Sequence, residues 1–311
     1  MNTKVNNNKI FLVFNTSHLG DTLLCNSLCQ NIKKTFPDSK VVYIVNKPFY
    51  EAAKYQKDVD EVIVFDKFGE HKSILSRLKF IINFPYKRAD YAFVTYRNNT
   101  NSLIARLIGA KCIIEHKRKE VFVPMQEHFV RLLKQITDKD ITYVPMKYEV
   151  SDKIPEHLAD IILQGNKYIA LSVITTDPKK DIPIETADRI IKLLSENKYK
   201  VLLVGTGDNA VSYAETLEQN NCKFINLINK TSISELGSVL KNCKGLISPD
   251  TGTMHLGCAV NIPVVCIFYK KESVLQWAPD ESLYKVSVIT ENQTAENIFN
   301  KLEELLSPIK A

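Results

Sequence analysis

The chain has 311 residues, of which 45% are hydrophobic and 24% charged, and its formal net charge is +6. This composition is typical of a globular protein rather than a disordered one, and at ~100–200 residues per domain the length predicts two domains. No apolar run approaches the ~18 residues of a membrane span, and the polar start MNTKVNNNK predicts no signal peptide, so we expect a cytoplasmic protein.

The charged residues and the cysteines narrow the classes of partner. The mild positive charge suits an anionic substrate or an acidic membrane surface. The basic and aromatic residues form no motif that reads RNA or DNA, so no nucleic-acid partner is expected. Seven cysteines are scattered among apolar neighbours without a CxxC pair, which predicts buried, reduced thiols rather than a metal site.

The first half of the sequence alternates short apolar runs with helix-like segments. Strands are predicted at residues 10–14, 41–45, 62–65, 91–95 and 112–114, and helices at residues 22–35, 47–56, 74–84, 102–108 and 126–136. Continuous apolar strands separated by helices are typical of a parallel sheet that is covered on both faces.

A second alternating series begins after Lys153-Ile154-Pro155. Its predicted strands are residues 168–173, 201–204, 224–226, 245–248 and 264–268, and its predicted helices are residues 184–197, 209–219, 232–242, 254–260 and 294–306. We therefore predict two Rossmann-like, doubly wound α/β domains, residues 1–150 and 151–311, that face each other across a cleft, with a terminal helix able to pack back on the first domain. Ligands of such domains bind at the carboxyl ends of the strands.

The first predicted strand ends in a polar loop with the sequence NTSHLGDT. Gly20 allows a tight turn, and Asp21 would lie at the head of the following helix, with Ser17 and His18 close by. Two interpretations of Asp21 stay open. It is either a first-turn carboxylate that interacts favourably with the helix dipole, or a general base that faces a substrate hydroxyl.

Two loops that follow strands of the second series are candidates for phosphate binding. In the loop ITTDPKKDIP, Lys180 is the preferred cation because a lysine is a compact charge that can follow a diphosphate. The alternative is a solvated charged loop. Gly205 opens the glycine turn GTGD at the same predicted sheet edge. One such turn is weak evidence, but neighbouring loops on one edge support one another.

The stretch GLISPDTGTMHLGCAVNIPVVCIF is predicted to form a strand, a turn, a helix and a second strand. Thr251, Gly252 and Thr253 would lie at the helix N-terminus, where unpaired backbone N–H groups and the helix dipole favour a phosphate. Gly252 has no Cβ that would block a ligand, Asp250 or Thr251 could cap the helix, and His255 would lie about one turn in. The alternative is an ordinary βα turn in which Asp and Thr serve only as caps.

Several of these segments together resemble glycosyltransferase family 9, the lipopolysaccharide heptosyltransferases. The similar segments occur in the family's order and are SHLGDTLL from Ser17 with a downstream Phe36-Pro37, the loop from Thr175 to Lys180, KTSISEL from Lys230, and DTGTMHL from Asp250. The resemblance covers roughly residues 9–280, and the region from Asp90 to Lys111 also resembles the family's segment near the acceptor.

The resemblance implies an enzyme of the GT-B type, with the acceptor on the amino-terminal domain and the nucleotide-sugar donor on the carboxyl-terminal one. Members of the family transfer heptose from ADP-heptose to the inner core of lipopolysaccharide, with inversion and without a required metal or other cofactor. By position, Asp21 matches the catalytic base, Lys180 the lysine at the donor phosphates, Thr175 and Thr176 a donor-side loop, and Asp250, Thr251, Gly252 and His255 the donor loop.

The chemistry of the residues agrees with this assignment. Sugar transfer from a diphosphate donor needs a base for the acceptor oxygen and positive groups for the charge that develops on the leaving diphosphate. A helix N-terminus together with a lysine can replace Mg²⁺, so we predict no metal.

Two departures from the family pattern leave the donor sugar open. The residues YKKES from Tyr269 stand where the family usually has a Gly and a Pro/Thr-rich turn, and Asn229 stands where Gly is common. A transferase of the same fold that uses a hexose or N-acetylhexosamine donor is therefore an alternative, as is a nucleotide-binding protein without transfer activity. An NAD-dependent oxidoreductase is disfavoured, because the first turn, TSHLGD, has one glycine instead of GxGxxG.

The acceptor side of the predicted enzyme is rich in cations. These are Lys67, Lys72, Arg77, Lys79, Lys87, Arg88 and Arg97. They could bind the phosphates and acidic sugars of a lipid-linked oligosaccharide, or form a solvated face. Arg97 is the preferred acceptor-binding residue, together with Ser17, His18 and Gly20. Peripheral contact with the cytoplasmic face of the inner membrane would follow from exposure of Phe68, Phe80 and Phe84, but burial of these rings is expected.

Overall fold

The computed structural model describes residues 9–95, 99–115, 123–142, 144–150 and 155–307. The chain divides into two compact units, Met1–Met146 and Lys147–Ala311. The division lies four residues before the boundary expected from the sequence. Each unit is a parallel α/β structure.

The sheet of the first unit has five strands in the described residues. They are β1 (Ile10–Asn15), β2 (Lys40–Val45), β3 (Glu61–Val64), β4 (Tyr91–Val94) and β5 (Cys112–Glu115). The spatial order is β3-β2-β1-β4-β5, and all pairs are parallel. Central strands such as β1 are buried along nearly their whole length, as expected for a sheet with helices on both faces.

Helices connect these strands, as the alternating sequence pattern predicts. They are α1 (Leu19–Thr35), α2 (Tyr50–Lys54) with a preceding 3-10 turn at Lys47–Phe49, α3 (Ile74–Ile82), α4 (Asn99–Leu107) and α5 (Met125–Lys134). The first, α1, begins after His18 and is buried along most of its length. Its last turn carries Lys33 and Lys34, where positive charge is favourable to the helix dipole.

The helix α3 is packed less completely than the others. None of its residues is fully buried. Phe84, just after the helix, is buried and Phe80 is half-buried, but Phe68 is 73% exposed. The expected burial of all three rings was therefore wrong for Phe68, because this ring lies in the loop before α3 and outside the core cluster that receives Phe80 and Phe84.

The sheet of the second unit has six described strands. They are β6 (Tyr168–Ser172), β7 (Lys200–Val204), β8 (Ile225–Asn226), β9 (Gly245–Pro249), β10 (Val264–Ile267) and β11 (Val286–Ile289). The spatial order is β11-β10-β9-β6-β7-β8, again with parallel pairs. Numbered from its own first strand, this is the 3-2-1-4-5-6 order of the Rossmann fold.

The helices of the second unit cover both faces of this sheet. They are α6 (Ala159–Leu163), α7 (Ile184–Glu196), α8 (Asp208–Gln219), α9 (Ile233–Asn242), α10 (Gly252–Ala259), α11 (Lys271–Trp277) and α12 (Ala295–Leu306), with 3-10 turns at Glu156–Leu158, Gly165–Lys167 and Pro178–Lys180. The terminal helix α12 buries Ile298 and Leu302 in the core of its own unit. None of the helices in the described part of the chain combines the length and apolarity that a membrane span requires.

Three elements were not predicted from the sequence. These are α6, β11 and α11. The helix α6 has only five residues, too few to show a helical period. The helix α11 has no buried residue, and it starts within the polar run YKKES, for which no helix was predicted. The strand β11 is recognisable mainly by its pairing with β10, a contact that local sequence does not reveal.

In both sheets the strand order reverses beside the first strand of the unit. In the first unit β1 lies between β2 and β4, and in the second β6 lies between β7 and β9. Loops on the two sides of such a point leave in opposite directions and open a crevice at the carboxyl ends of the strands. The polar loops after β1, β6 and β9 are therefore where ligands are expected.

Close packing of α10 on the sheet depends on Gly257. A Cβ added at this glycine would lie 2.6 Å from Leu246 Cδ2 and 3.1 Å from Val264 Cγ2. Both neighbours are completely buried, so they have little room to move. Glycine thus allows α10 to approach β9 and β10, which fixes the position of the loop at its N-terminus.

We predict that Gly257→Ala lowers the free energy of unfolding by ~1–3 kcal/mol through overpacking. The sign is diagnostic, because replacing a helical glycine by alanine otherwise stabilises by roughly 0.5–1 kcal/mol. Ser212→Ala, at an exposed position of α8, is the control and should stay within about 0.5 kcal/mol. Urea denaturation measures both, and an unchanged or raised value for Gly257→Ala would show that the glycine is not required.

Candidate active site

The central feature of the second unit is an ion pair between two loops that are far apart in sequence. Lys180 Nζ lies 2.6 Å from Asp250 Oδ2. Lys180 follows β6, Asp250 follows β9, and these two strands are neighbours in the sheet. The Asp250 side chain is 8% exposed and the Lys180 side chain 22%. The pair therefore places a fixed, partly accessible ammonium group at the strand reversal of this sheet.

The loop that carries Lys180 is held by carboxylates that the sequence analysis did not select. The backbone N–H of Thr175 donates to Asp181 Oδ1 at 2.6 Å. The Thr175 hydroxyl donates to the Asp177 carbonyl at 2.6 Å, and the Asp177 side chain caps the 3-10 turn that contains Lys180. Thr175 is therefore partly engaged in the loop itself, whereas Thr176 is exposed.

The N-terminus of α10 follows Asp250 directly. Thr251 is the N-cap, and its hydroxyl accepts weakly from the backbone N–H of Met254 at 3.5 Å and lies 3.1 Å from the Ser248 hydroxyl. Thr251, Gly252 and Thr253 are half-exposed. No hydrogen bond engages the N–H groups of Gly252 and Thr253 within the described residues. These donors lie at the positive end of the helix dipole, the arrangement that binds phosphate.

His255 lies deeper than the rest of this loop. Its side chain is 3% exposed, because α10 buries every residue from Met254 to Ala259. Its assignment as a donor-binding residue stays a prediction, and in this structure the ring belongs to the packing beneath the loop.

The loop after β7 is ordered by a side chain from the next connection. Asn229 Oδ1 accepts from the Gly207 N–H and from the Thr206 hydroxyl, both at 2.9 Å, and the Asn229 N–H donates to the Gly205 carbonyl at 3.1 Å. Asn229 itself has a φ of 56°. Asparagine tolerates this left-handed conformation better than most residues, so it can replace the glycine that is common in the family while also bracing Gly205.

In the first unit, Asp21 lies in the first turn of α1 and is 8% exposed. The backbone N–H of His18 donates to Asp21 Oδ2 at 3.1 Å, and His18 Nδ1 lies 3.5 Å from the same oxygen. Ser17 Oγ is 3.3 Å from His18 Nδ1. Ser17, His18 and Asp21 are thus brought together, with the His18 side chain 77% exposed. Gly20 is buried as the second residue of α1, so the tight turn expected at this glycine was wrong, because the helix already begins at Leu19.

The protonation of this group follows from these contacts. Burial by itself would raise the pKa of Asp21, but hydrogen bonds from His18 and Ser17 outweigh it, and the pKa lies below the ordinary value. The hydrogen bond between the side chains of His18 and Asp21 also raises the pKa of His18, and burial and the nearby Lys67 partly oppose this increase. Asp21 is therefore ionised at neutral pH, as a general base must be.

Sequence reasoning missed the polar residues beneath this loop. Asn15 Nδ2 donates to the Asp21 carbonyl at 2.9 Å, and Asn15 Oδ1 accepts from the Ser17 N–H at 3.2 Å. Thr16 pairs with Asn101 of α4 at 3.1 Å. An Asn at the carboxyl end of an apolar strand is the signal that marks such a residue. Arg97, the predicted acceptor ligand, lies outside the described residues.

Comparison with known proteins identifies the architecture that carries these loops. Residues 109–305 match the sequence profile of Glycosyltransferase family 9 (heptosyltransferase). The chain belongs to glycosyltransferase family 9. It is 22% identical over 278 residues to lipooligosaccharide heptosyltransferase 2 of Campylobacter jejuni, which covers 84% of this chain and 80% of the relative.

Solved structures of the family share the fold over nearly the whole length. A glycosyl transferase family 9 structure from Veillonella parvula superposes with a TM-score of 0.85 at 19% identity and covers 98% of both chains. The E. coli ADP-heptose lps heptosyltransferase II superposes with a TM-score of 0.75 at 18% identity and covers 96% of this chain and 98% of that one. The chain is thus a glycosyltransferase with two Rossmann-like domains of the GT-B type.

The structure accounts for the loop that departs from the family pattern. Tyr269 packs partly against the core, with no hydrogen-bond partner for its hydroxyl among the described residues. Lys270 pairs with Asp177, and Lys271 pairs with Glu291. The positive charge of each lysine is therefore neutralised by its own carboxylate.

We predict that Asp21→Asn lowers the pKa of His18 towards its ordinary value of about 6.5. In the folded wild-type protein the pKa is raised, so the contribution of protonated His18 to stability is complete below about pH 6.5 and is lost as the pH rises through the folded-state pKa. NMR titration of the His18 ring measures the change. Glu296→Gln, which removes a first-turn carboxylate from α12, is the control. An unshifted His18 pKa in Asp21→Asn would refute the coupling.

Proposed function

We propose that this family 9 glycosyltransferase transfers heptose from ADP-heptose to the inner core of lipopolysaccharide or lipooligosaccharide, with inversion and without a metal. The Campylobacter jejuni relative is a lipooligosaccharide heptosyltransferase, and the E. coli structure is described as an ADP-heptose lps heptosyltransferase. The observation that carries the proposal is the Lys180–Asp250 pair beside the N-terminus of α10. It provides positive charge where a leaving nucleoside diphosphate requires it.

The donor diphosphate is proposed to bind between Lys180 and the N–H groups of Gly252 and Thr253. The half-exposed surface of this loop admits phosphate oxygens, and Gly252 presents no side chain to them. Asp250 orients the lysine through the 2.6 Å contact. Fixed donors aimed at charge that develops in the transition state can contribute several kcal/mol, about 2.7–4 for one such donor.

The same arrangement supports the proposal that the reaction needs no metal. A lysine and a helix N-terminus supply the positive charge that Mg²⁺ supplies in other transferases. Within the described residues no group of three or more His, Cys, Asp or Glu side chains is placed to hold a metal ion. In the proposed reaction, Lys180 and the N-terminus of α10 stabilise the charge of the leaving group.

Asp21 is proposed to remove the proton from the acceptor hydroxyl. Its carboxylate is ionised and held in place by the hydrogen bond from the His18 N–H. The lowered pKa makes it a weaker base than a free carboxylate, so position must supply part of its efficiency. Displacement by the activated oxygen on the face opposite the diphosphate gives inversion.

The acceptor is proposed to be a lipid-linked, anionic oligosaccharide at the cytoplasmic face of the inner membrane. The cations between β3 and β4 and the exposed His18 are available to its phosphates and acidic sugars. Arg97 is proposed as a further acceptor ligand on sequence grounds.

One observation favours a second candidate donor. The loop after β10 leads at Lys271 into the helix α11, and Tyr269 is half-buried where the family usually has a small residue. A changed surface at this place could alter the fit of the sugar while leaving the diphosphate contacts intact. A hexose or N-acetylhexosamine donor is therefore the alternative.

We expect ADP-heptose and ADP to raise the melting temperature more than UDP-, GDP- and CMP-sugars at equal concentration. A ligand that binds only the folded protein stabilises it by about 2.7 kcal/mol at 100 times its Kd. Differential scanning fluorimetry measures the panel. A larger shift with a UDP-, GDP- or CMP-sugar would reject the ADP donor, and an ADP-hexose that surpasses ADP-heptose would favour the second candidate.

Calorimetry with ADP tests the phosphate role of Lys180. Loss of a charged hydrogen bond costs roughly 1.5–3 kcal/mol, so Lys180→Ala should weaken ADP binding by at least ~10-fold in calorimetry. Lys179→Ala is the matched control, because Lys179 is the adjacent, exposed lysine of the same 3-10 turn. Equal ADP affinities of the two variants would reject the assignment.

We predict that Asp21→Asn lowers kcat by at least ~10²-fold while the affinity for ADP stays near that of the wild type, because only the proton transfer is lost. Steady-state transfer to a purified core acceptor, with calorimetry of ADP, separates the two effects. Glu296→Gln should retain wild-type turnover. Wild-type kcat in Asp21→Asn would remove the residue from the base role and leave it as a helix cap.

A further inference from the structure

An apolar surface that none of the described residues covers lies on the outer side of α3. It consists of Phe68, Ile74, Leu75, Leu78 and Ile82, whose exposed fractions are between 44% and 79%. We call these five residues the α3 surface. Isolated exposed apolar residues are ordinary, but large side chains grouped on one element indicate an interaction site.

The four helical members of this group share one face. Their spacing places them within an arc of about 100° of the α-helix, at 100° per residue. The opposite face holds the helix on the domain. Phe80 packs 5.1 Å from the Phe65 ring and 5.5 Å from the Phe84 ring, centroid to centroid, and Arg77 Nε donates to the His71 carbonyl at 2.9 Å. The helix thus has two apolar faces. One packs against the core of the first unit, and the other is exposed.

The surroundings of the α3 surface are strongly basic. Residues 67–88 contain six Lys or Arg residues and one Glu. This segment therefore carries a net charge of +5, most of the +6 of the whole chain. Lys72, Lys79 and Lys87 are exposed and form no ion pair with any described residue. Exposed apolar side chains and ammonium groups without a described ion-pair partner therefore occur together in one short segment of the first unit.

We propose that the α3 surface binds an anionic lipid bilayer, with Ile74, Leu75, Leu78 and Ile82 inserted at the interface and Lys72 and Lys79 at the headgroups. Amphipathic helices with apolar residues on one face and flanking cations bind membranes in this way. A second copy of the chain is a poorer occupant, because pairing two such surfaces would bring two segments of net charge +5 together. A nucleic acid would neutralise the lysines but would leave the apolar side chains exposed.

The proposal does not depend on the identity of the donor or the acceptor. Binding to lipid is measured with vesicles alone, without substrates. Failure of lipid binding would leave the proposed transfer reaction standing, and failure of transfer would leave the α3 surface as a membrane site.

The test is sedimentation of the full chain with vesicles of phosphatidylethanolamine and phosphatidylglycerol, compared with vesicles of phosphatidylcholine. We expect at least ~10-fold tighter binding to the anionic vesicles at low salt and a marked loss at high salt, because the lysine contribution is screened. Equal binding to both vesicle types, or no binding at low salt, would overturn the proposal.

Two pairs of variants separate the apolar and the charged contributions. Leu75→Glu with Ile82→Glu should reduce vesicle binding at least ~10-fold, whereas Leu163→Glu should not. Leu163 is the matched control because it has the same 79% exposure as Leu75 and lies on α6 in the second unit. Lys72→Glu with Lys79→Glu should also reduce binding, while Lys223→Glu with Lys241→Glu, two exposed lysines of the second unit, should retain more of it.

Circular dichroism and the melting temperature verify that the variants are folded, which is expected because the substituted side chains are exposed. Analytical ultracentrifugation of the wild type distinguishes the competing occupant. A dimer that Leu75→Glu with Ile82→Glu dissociates, without any binding to vesicles, would assign the α3 surface to self-association and overturn the lipid proposal.

Discussion

The candidate site of the second unit depends on the parallel pairing of β6 with β9. The register places Ile169 opposite Gly245 and Leu171 opposite Ile247. Because both strands run in the same direction, their carboxyl ends reach the same edge of the sheet. Two loops separated by 70 residues of sequence then lie side by side, and Lys180 meets Asp250. Gly257 also helps to position this site, because it lets α10 lie close to β9 and so sets the direction of the α10 N-terminus.

Three lysines of this region already form ion pairs with carboxylates before any ligand binds. Lys180 is paired with Asp250, Lys270 with Asp177 and Lys271 with Glu291. A diphosphate that reaches Lys180 therefore competes with a carboxylate, and the net gain is smaller than that of a free lysine. However, the ion pair already holds the ammonium group in one position, so the Lys180 side chain loses less conformational entropy when the diphosphate binds. The partly buried pair favours orientation over affinity, as suits a group that stabilises a leaving group.

Most strands and helices could be predicted from the local sequence, but only part of the candidate site could. Apolar runs such as β1 and β9 predict buried parallel strands. A glycine or an Asp directly after such a run predicts a loop that can bind a ligand. The residues that brace those loops were missed. Asp177, Asp181 and Asn229 have no distinctive pattern, and their partners are set by chain folding. The apolar residues of α3 were also ambiguous, because a pattern with two apolar faces does not say which one the core accepts. These are contacts between residues far apart in sequence, and the secondary-structure propensities of the residues do not predict them.

Asp21 combines two demands that oppose each other. As a helix cap it accepts a hydrogen bond from the His18 N–H, and this contact stabilises the ionised form and lowers the pKa. As a base it must give up part of that stabilisation when it accepts a proton, so the cap reduces its intrinsic strength. The arrangement is still suited to catalysis. The Asp21 carboxylate accepts from the His18 N–H, and the backbone carbonyl of Asp21 is held by Asn15, so the side chain has little freedom to lose when the acceptor binds. Effective molarity gained from such fixed geometry can exceed the loss from a modestly lowered pKa. The hydrogen bond from the His18 N–H thus has two effects. It lowers the pKa of Asp21 and so its basicity, and it holds the carboxylate in the position from which it accepts the proton.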